Sequence, residues 1–252
     1  MAITLADIRR GKDDRPPRLV VYGPPKVGKS TFAAGAPGVV FLQTEEGLDA
    51  LDVARIGVLS TFDQAMEGLS ALATEDHDFR TVAIDSADWL EPLVWQAVCD
   101  EAGVDGIEKV GGGYGKGYLE ADAKWKEVLS ALDYLRNARG MACVIICHEQ
   151  AVKIQPPDGD AYDVAGIKLH KRAAALLHEW ADVLGYARMR VKIQSEDMGF
   201  KRQHKRAVQL GDEHQLVVAN HPAYVTGNRY GITDTLPLSW SAFADALAAA
   251  RG

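Results

Sequence analysis

Residues 23–30 have the side-chain types and the spacing that suit binding of a nucleoside triphosphate. They read G-P-P-K-V-G-K-S, in which two glycines allow the backbone N–H groups to turn towards phosphate oxygens. Lys29 is spaced to reach the β- and γ-phosphates, and Ser30 to bind Mg²⁺. The predicted ligands of ATP and Mg²⁺ are Gly23, Pro24, Pro25, Lys26, Val27, Gly28, Lys29, Ser30 and Thr31.

The segments on either side of this loop support the prediction. Residues 18–22 are a short apolar segment typical of a buried strand, and residues 31–36 predict a helix. A strand, a glycine-containing loop and a helix in this order are the context in which such a loop binds phosphate. Lys26, the additional cation inside the loop, is expected to face the solvent.

A second ligand for Mg²⁺ is predicted at Asp85. The apolar residues 82–84 indicate a buried strand, and Asp85 lies where that strand ends. Ligands of open α/β sheets bind at this edge, so we expect Asp85 beside Ser30, holding the metal through water. The alternative is that Asp85 caps the helix that follows. Ser86 is a weaker candidate for the same metal site.

Hydrolysis also requires a group that orients or deprotonates water. No glutamate follows the predicted metal ligand directly, so the candidates are Glu45 and Glu46, which come after a predicted strand at residues 38–43. We expect this strand to lie beside the strand of the phosphate loop, and we favour Glu45 as the catalytic carboxylate. The alternative is that both acids cap a short helix that begins near Gly47.

His148 is a further candidate for the catalytic site. It follows residues 142–147, an apolar segment that predicts another buried strand, and it therefore lies at the same edge of the sheet. There it could contact the γ-phosphate and transmit its presence to residues 149–170. The alternative is an ordinary surface residue at the end of a strand.

Segments of strand and helix alternate along the chain, which predicts an α/β fold with a mostly parallel sheet covered by helices on both faces. Helices are predicted at residues 63–72, 88–102, 120–138, 169–181 and 239–251. Loops are predicted at residues 110–118, which contain five glycines, and at residues 151–170. Short alternating segments at residues 183–192, 206–210 and 215–218 predict additional C-terminal strands of the same sheet.

The composition narrows the class of protein. Of the 252 residues 47% are hydrophobic, which is enough for a large core, yet no apolar run is long enough to cross a bilayer. The N-terminus lacks the apolar segment of a secretion signal, and the odd number of cysteines, three, argues against a disulfide framework. We therefore expect a cytoplasmic protein with no membrane partner. The net charge of −7 excludes a polycation that coats nucleic acid, although local basic clusters leave nucleic-acid binding open.

The order of these motifs resembles the RecA-like core of P-loop NTPases. More narrowly, the chain resembles the phage-type nucleotide-binding ATPases of the AAA type, some of which are single-strand annealing proteins of recombination. Small GTPases would require an N-K-x-D motif, which is absent. The resemblance extends over residues 18–243. The matching segments are residues 22–25, 84–86, 111–117, 147–149, 228–231 and 236–240.

The resemblance implies an arginine finger. In related hexameric helicases a late K-x-R-x-G segment places an arginine in the nucleotide site of the neighbouring subunit. Here residues 227–231 read G-N-R-Y-G, so that Arg229 has the position of the arginine and Gly227 replaces the lysine. Arg229 is therefore a candidate for stabilising charge in the transition state. The alternative is a local salt bridge, which would contribute little.

The resemblance also implies two loops that bind single-stranded DNA, near residues 109–118 and 153–170. Lysines in these loops could neutralise phosphates, and tyrosines could stack on bases. The candidate DNA-binding residues are Lys109, Tyr114, Lys116, Tyr118, Lys153, Lys168, Lys171 and Arg172. The alternative is that glycine-rich segments are linkers or lids.

These observations lead to the hypothesis of a DNA-dependent ATPase that anneals or exchanges single strands as a homo-oligomer, either a ring or a filament. An arm at residues 1–17 would precede a RecA-like ATPase domain at residues 18–252. A single-stranded-DNA-binding protein is a further candidate partner, and a phage-encoded chain would act in the host cytoplasm. The competing hypotheses are an ATP-driven helicase or packaging motor, and a nucleotide-gated scaffold that binds a protein with little turnover.

Overall fold

The computed structural model describes residues 4, 5, 8, 10–197 and 203–252, and for residues 191–197 and 203–212 it describes the backbone alone. In these residues the strands are β1 (Arg18–Gly23), β2 (Val39–Gln43), β3 (Ala54–Ile56), β4 (Thr81–Asp85), β5 (Ala142–Ile154), β6 (Tyr162–Ile167), β7 (Val183–Asp197), β8 (Gln203–Val217), β9 (Gly227–Asn228) and β10 (Thr235–Pro237). The helices are α1 (Lys29–Ala34), α2 (Phe62–Thr74), α3 (Ala87–Ala102), α4 (Lys116–Ala138), α5 (Lys171–Trp180) and α6 (Trp240–Arg251).

The strands form one sheet with the order β10-β8-β7-β1-β5-β4-β2-β3. The neighbours from β7 to β3 pair in parallel, whereas β8 and β10 add antiparallel strands at one edge. Two strands lie off this path, because β6 pairs with β5 and β9 pairs with β7, both antiparallel. The predicted α/β class, with a mostly parallel sheet and additional C-terminal strands, is confirmed.

Alternate residues of β1 show how the sheet is buried on both faces. Val20 and Tyr22 pack with residues of α2, α3, α4 and α5, whereas Leu19 and Val21 pack with residues of α1 and α6 on the opposite face. Each fully buried apolar side chain of this kind contributes about 1.5–3 kcal/mol. Among the described residues, no helix combines the length and the apolar character that crossing a membrane requires.

The prediction that β2 lies beside β1 is wrong. The two positions beside β1 are taken by β5 and β7, so that β5 and β4 separate β1 from β2. The chain after β2 nevertheless turns across the end of β4, because the Thr44 N–H donates a 2.8 Å hydrogen bond to the Asp85 carbonyl oxygen. Glu45 therefore still reaches the edge of the sheet at which β1 ends.

The prediction of a loop at residues 151–170 is wrong for half of that segment. β5 continues to Ile154, beyond its parallel pairing with β1, and pairs with β6 in an antiparallel hairpin that aligns Val152 with Val164. Apolar residues alternate on both strands, and the P-P-D-G sequence at residues 156–159 supplies the turn between them. Lys153 therefore lies on a strand.

The glycine-rich segment is more regular than the sequence predicts. Short 3₁₀ turns lie within Ile107–Gly112, with non-helical backbone at Val110 and Gly111 between them, and α4 begins at Lys116, four residues earlier than expected. Gly117 lies in the first turn of α4, where a Cβ atom would be 2.1 Å from the carbonyl oxygen of Ile107. This glycine permits close packing and does not provide flexibility. As a result, Lys116 and Tyr118 lie on a helix.

A buried carboxylate, Asp182, joins several elements at the end of the sheet where the parallel strands begin. This end lies opposite the one at which β1 leads into the phosphate loop. It accepts hydrogen bonds from Arg18 at 2.8 Å and from Arg136 at 3.1 Å. Burial alone would raise the pKa of Asp182, but the hydrogen bonds and charge of Arg18 outweigh this effect, so that the pKa is lowered. The carboxylate is therefore charged and paired in the folded protein.

We expect Asp182→Ala to lower the free energy of unfolding by about 3–5 kcal/mol, because Arg18 and Arg136 would lose the carboxylate that compensates their burial. Urea unfolding at neutral pH measures this loss. Asp158→Ala, at the exposed turn between β5 and β6, is the control and should change the free energy by less than about 0.5 kcal/mol. Equal losses in the two variants would contradict the role of Asp182.

Candidate active site

The loop between β1 and α1 has a backbone that few residue types can adopt. Gly28 has a φ angle of 101° and Lys26 one of 63°, both in the left-handed region. A Cβ atom on Gly23 would lie 2.2 Å from the carbonyl oxygen of Ala187, so that only glycine fits at this position. The loop is therefore held in a curled shape, which suits a cradle of backbone N–H groups for phosphate.

Lys29 lies inside this curl. Lys29 is buried, and its Nζ donates hydrogen bonds to the carbonyl oxygens of Gly23 at 3.0 Å and Pro24 at 2.9 Å. Burial lowers the pKa of Lys29, and the nearby carboxylate of Asp85 opposes that effect. The loop therefore holds an ammonium group at the position where a phosphate chain would need one. Lys26, in contrast, is exposed.

Ser30 and Asp85 meet at the edge of the sheet, as the metal-site prediction requires. The Ser30 hydroxyl donates a 2.6 Å hydrogen bond to Oδ2 of Asp85. Burial raises the pKa of Asp85, and the hydrogen bond from Ser30 acts against that rise. A hydroxyl and a carboxylate oxygen at one point are the hard oxygen ligands that Mg²⁺ takes in proteins, with water completing its shell. The donor set therefore fits this cation.

Glu45 is fixed next to these residues, whereas Glu46 is exposed. Oε1 of Glu45 accepts a 2.7 Å hydrogen bond from the Ser86 hydroxyl. The buried Thr44 anchors the same turn, because its hydroxyl donates to the Ser86 carbonyl oxygen at 2.7 Å and accepts from the Ser86 N–H at 2.8 Å. Ser86, which the sequence indicated as a weak metal ligand, therefore directs its hydroxyl to Glu45.

These side chains line one cavity of about 470 Å³. Lys29, Ser30, Glu45, Asp85 and His148 all line it, and an apolar wall completes it with Leu48, Ala50 and Leu51. Its lining also includes Glu46 and the loop residues Pro25, Lys26, Gly28 and Thr31. Residues 46–51 form bends and a turn, so the short helix that the two glutamates would have capped is not formed.

His148 is oriented by a residue that the sequence analysis did not single out. Asp88, in the first turn of α3, accepts hydrogen bonds from the His148 backbone N–H and from Nδ1, both at 2.9 Å. Burial alone would raise the pKa of Asp88, but the hydrogen bonds from His148 outweigh it, so that the pKa is lowered. Nδ1 is also 4.0 Å from Oε1 of Glu45. The sequence contained one indication of this residue, because Asp88 is an acid three residues after the predicted metal ligand Asp85.

Arg229 does not lie at this cavity in the described chain. Its guanidinium is 3.5 Å from Asp182 and donates a 2.5 Å hydrogen bond to the Glu179 carbonyl oxygen. These contacts are at the opposite edge of the sheet, where the parallel strands begin. A role as an arginine finger would therefore require a neighbouring subunit, and it stays a prediction.

The glycine-rich segment presents its candidate DNA-binding residues unequally. Lys109 forms a 2.6 Å ion pair with Asp105, and Nζ of Lys116 donates to the Gly111 carbonyl oxygen at 2.9 Å. Tyr114 is fully exposed. The two lysines are exposed but have partners within their own segment, and the tyrosine is exposed in full.

Tyr118 brings the two predicted DNA-binding segments together. Its ring stacks on the ring of His170 with centroids 4.0 Å apart, and its hydroxyl donates a 2.5 Å hydrogen bond to Glu108. Trp95 of α3 packs edge-on against Tyr118, with centroids 5.6 Å apart. The start of α4 and the residues that precede α5 are therefore joined by an aromatic cluster.

The second segment is divided among a strand, a turn and a helix. Lys153 is exposed on β5, and Lys168 is exposed next to β6, with Nζ 3.7 Å from Asp88. Lys171 is exposed at the start of α5, whereas Arg172 donates a 2.9 Å hydrogen bond to the carboxylate of Asp122 on α4. Lys171 and Arg172 therefore lie on α5, within the helix that the sequence predicted at residues 169–181.

A second buried acid of α3, Glu91, holds the same region. Its two carboxylate oxygens accept the His170 backbone N–H at 3.1 and 3.0 Å. Burial raises the pKa of Glu91 to about 7, the hydrogen bond from His170 opposes the rise, and the charge of Asp88 adds to it. Glu91 therefore takes up its negative charge only near neutral pH.

We expect Glu91→Gln to alter how stability depends on pH. The pKa of Glu91 is raised above the value of 4.5 for an unperturbed glutamate, so the parent should lose stability as the pH rises from about 4.5 to about 7. Glutamine keeps the acceptor oxygen and cannot ionise. The free energy of unfolding of the variant should therefore rise, relative to that of the parent, by about 3 kcal/mol over this pH range. Urea unfolding of both proteins at pH 5 and pH 8 measures the difference. A gap between the two proteins that is the same at both pH values would contradict the prediction.

The curled loop, the buried lysine and the paired Ser30 and Asp85 define a phosphate-loop domain of the α/β class. The chain belongs to the AAA_24 family of AAA domains, whose model matches residues 15–230. No curated protein sequence matches the chain. A solved structure with similarity to the chain is that of the RadB recombinase, with a TM-score of 0.42 and 13% sequence identity, covering 79% of this chain and 89% of that chain.

Proposed function

We propose that this protein binds ATP with Mg²⁺ and hydrolyses it. One observation carries the proposal: Lys29, Ser30, Glu45, Asp85 and His148, which come from four separate segments of the sequence, line a single cavity. The membership of residues 15–230 in a family of AAA domains supports the use of a nucleotide. The apolar wall formed by Leu48, Ala50 and Leu51 offers a surface for the base.

Each side chain of the cavity has a role in this proposal. Lys29 and the loop N–H groups hold the phosphates, and bound Mg²⁺ supplies positive charge that neutralises their oxygens. Glu45, which Ser86 holds in place, orients the attacking water and accepts its proton. His148, which Asp88 orients, contacts the γ-phosphate. Glu45 is preferred to Glu46 because a fixed carboxylate aims water better than an exposed one.

We further propose that hydrolysis is coupled to single-stranded DNA and that the protein acts in recombination as a homo-oligomer, with residues 18–252 as one ATPase domain. Asp88 supports the coupling, since the same carboxylate contacts His148 of the cavity and approaches Lys168 outside it. Arg229 supports an oligomer, because it is half-exposed and could enter a neighbouring site. Unchanged turnover in Arg229→Ala would exclude that role.

ATP hydrolysis with and without single-stranded DNA, measured across a salt series, tests the proposal, with Lys29→Ala as the blank. We expect stimulation by DNA that declines as salt increases, because contacts with phosphates release counterions. Hydrolysis that is indifferent to DNA would exclude the coupling and leave an ATPase that serves another partner. Strand separation during turnover would instead favour a motor.

A further inference from the structure

The proposed hydrolysis of ATP assigns no role to a groove that lies beside α3. It is a cavity of about 490 Å³ between α3 and the base of the β5–β6 hairpin, and we call it the α3 groove. Trp89, Trp95, Lys168 and His170 are among the residues that line it. None of the aromatic residues of this groove was among the DNA-binding candidates from the sequence.

The aromatic side chains of the α3 groove combine a fixed floor with an exposed ring. Trp95 packs edge-on against His170, with centroids 6.4 Å apart, and His170 is stacked on Tyr118. Trp89 stands at the rim in the first turn of α3, with 52% of its surface exposed. An exposed indole beside a rigid aromatic cluster is a surface on which a planar base can stack.

The exposed charges at the groove are positive, although the chain as a whole carries a net charge of −7. Lys168 lines the groove, and Lys171 follows His170, the last residue of the lining; both lysines are exposed. The two acids that line the groove are covered: the side chain of Asp88 is 2% exposed and is bound to His148, and Glu91 is buried against the His170 N–H. Along the lining of the groove a chain of phosphates would therefore meet Lys168 and no exposed carboxylate. The exposed Glu108, which accepts the hydrogen bond from the Tyr118 hydroxyl, is not among the lining residues.

The groove shares a wall with the ATP cavity. Asp88 lines the groove, and His148, which Asp88 orients, lines the cavity. Nζ of Lys168 lies 3.7 Å from the same carboxylate. A ligand in the groove is therefore one side chain away from the candidate sensor of the γ-phosphate.

We propose that single-stranded DNA binds in the α3 groove, with a base stacked on Trp89 and the adjoining phosphates on Lys168 and Lys171. This inference rests on the proposed coupling to single-stranded DNA and names the site at which the strand is held. Stacking on an aromatic ring does not depend on which base is present, so binding here would not require a particular sequence. A protein ligand would not supply the repeated phosphates that Lys168 and Lys171 can contact.

The test measures the affinity of the full chain, with ATP and Mg²⁺ present, for a fluorescently labelled thymidine oligonucleotide. We expect Trp89→Ala to weaken binding about tenfold, and Trp89→Phe to recover most of the loss because it keeps a ring. The matched control is Tyr134→Ala, an aromatic residue of α4 that is 53% exposed and adjoins Asp133, a partner of Arg18 at the opposite edge of the sheet. It should bind as the parent does.

Two further readouts separate stacking from a structural effect. An oligonucleotide without bases should bind the parent and Trp89→Ala equally, because it offers nothing to stack. Lys168→Gln and Lys171→Gln should each reduce the salt dependence of binding by about 0.7 in the log–log slope. Turnover of ATP without DNA should be the same in Trp89→Ala as in the parent.

The outcomes distinguish this inference from the proposed function. If the parent binds the oligonucleotide and Trp89→Ala binds it equally well, the α3 groove is not the site, although the coupling to DNA stands. If Trp89→Ala weakens binding of the abasic strand as much as that of the normal strand, stacking on Trp89 is excluded. If the parent binds no single-stranded DNA with any nucleotide, the proposed coupling fails and the inference fails with it.

Discussion

Lys29→Ala is expected to lower ATP turnover by about 10²–10³-fold, the usual cost of removing one group that stabilises transition-state charge. Lys29 is the cation that the loop encloses, with Nζ held by the carbonyl oxygens of Gly23 and Pro24. Since burial lowers its pKa, alanine at this position removes a charge that is costly to bury, and the fold should be retained. Phosphate release at saturating ATP measures the effect.

The matched control for this variant is Lys126→Ala, which replaces an exposed lysine on α4, outside the cavity. Its turnover should equal that of the parent. A Lys29→Ala protein with parental turnover would show that the phosphate loop does not support hydrolysis, and any activity in the preparation would then have another source.

Glu45→Gln is expected to reduce turnover by about 10²–10⁴-fold while ATP still binds, since general base catalysis contributes an effect of this size. Glutamine preserves the size of the side chain and an oxygen for the Ser86 hydroxyl, but it cannot accept the proton of the attacking water. Single-turnover hydrolysis, together with binding of a fluorescent ATP analogue, separates the chemical step from affinity.

The paired variant, Glu46→Gln, distinguishes the two glutamates. Glu46 is exposed, so this variant should keep most of its turnover. Loss of turnover in Glu46→Gln with retention in Glu45→Gln would reverse the assignment. If both variants keep their ATP turnover, neither glutamate is the catalytic carboxylate.

The sequence predicted the parts of the site that depend on local pattern. The phosphate loop, Asp85 and His148 could each be placed at the carboxyl end of a strand, because buried parallel strands are apolar runs and their ends are marked by the first polar residue. Any parallel order of these strands places their ends at one edge, and so the convergence of these residues could be expected even though the predicted order was wrong.

The parts that the sequence did not predict depend on contacts between distant residues. Asp88 and Glu91 lie on a helix whose apolar periodicity gives no indication of the hairpin that they hold. Gly117 reads as a flexible residue, although its role is to let α4 approach Ile107 closely. The position of β2 depends on which strands flank β1, and no local pattern in residues 38–43 encodes that choice.

In the proposed coupling, ATP at the phosphate loop controls the binding of single-stranded DNA through His148 and Asp88. The most direct test is the affinity of the Glu45→Gln protein for a thymidine oligonucleotide, measured with ATP and again with ADP, because this variant should hold ATP without consuming it. We expect binding to be at least about fivefold tighter with ATP, which is the lower end of typical coupling between two sites. Equal affinity in the two nucleotide states would contradict it.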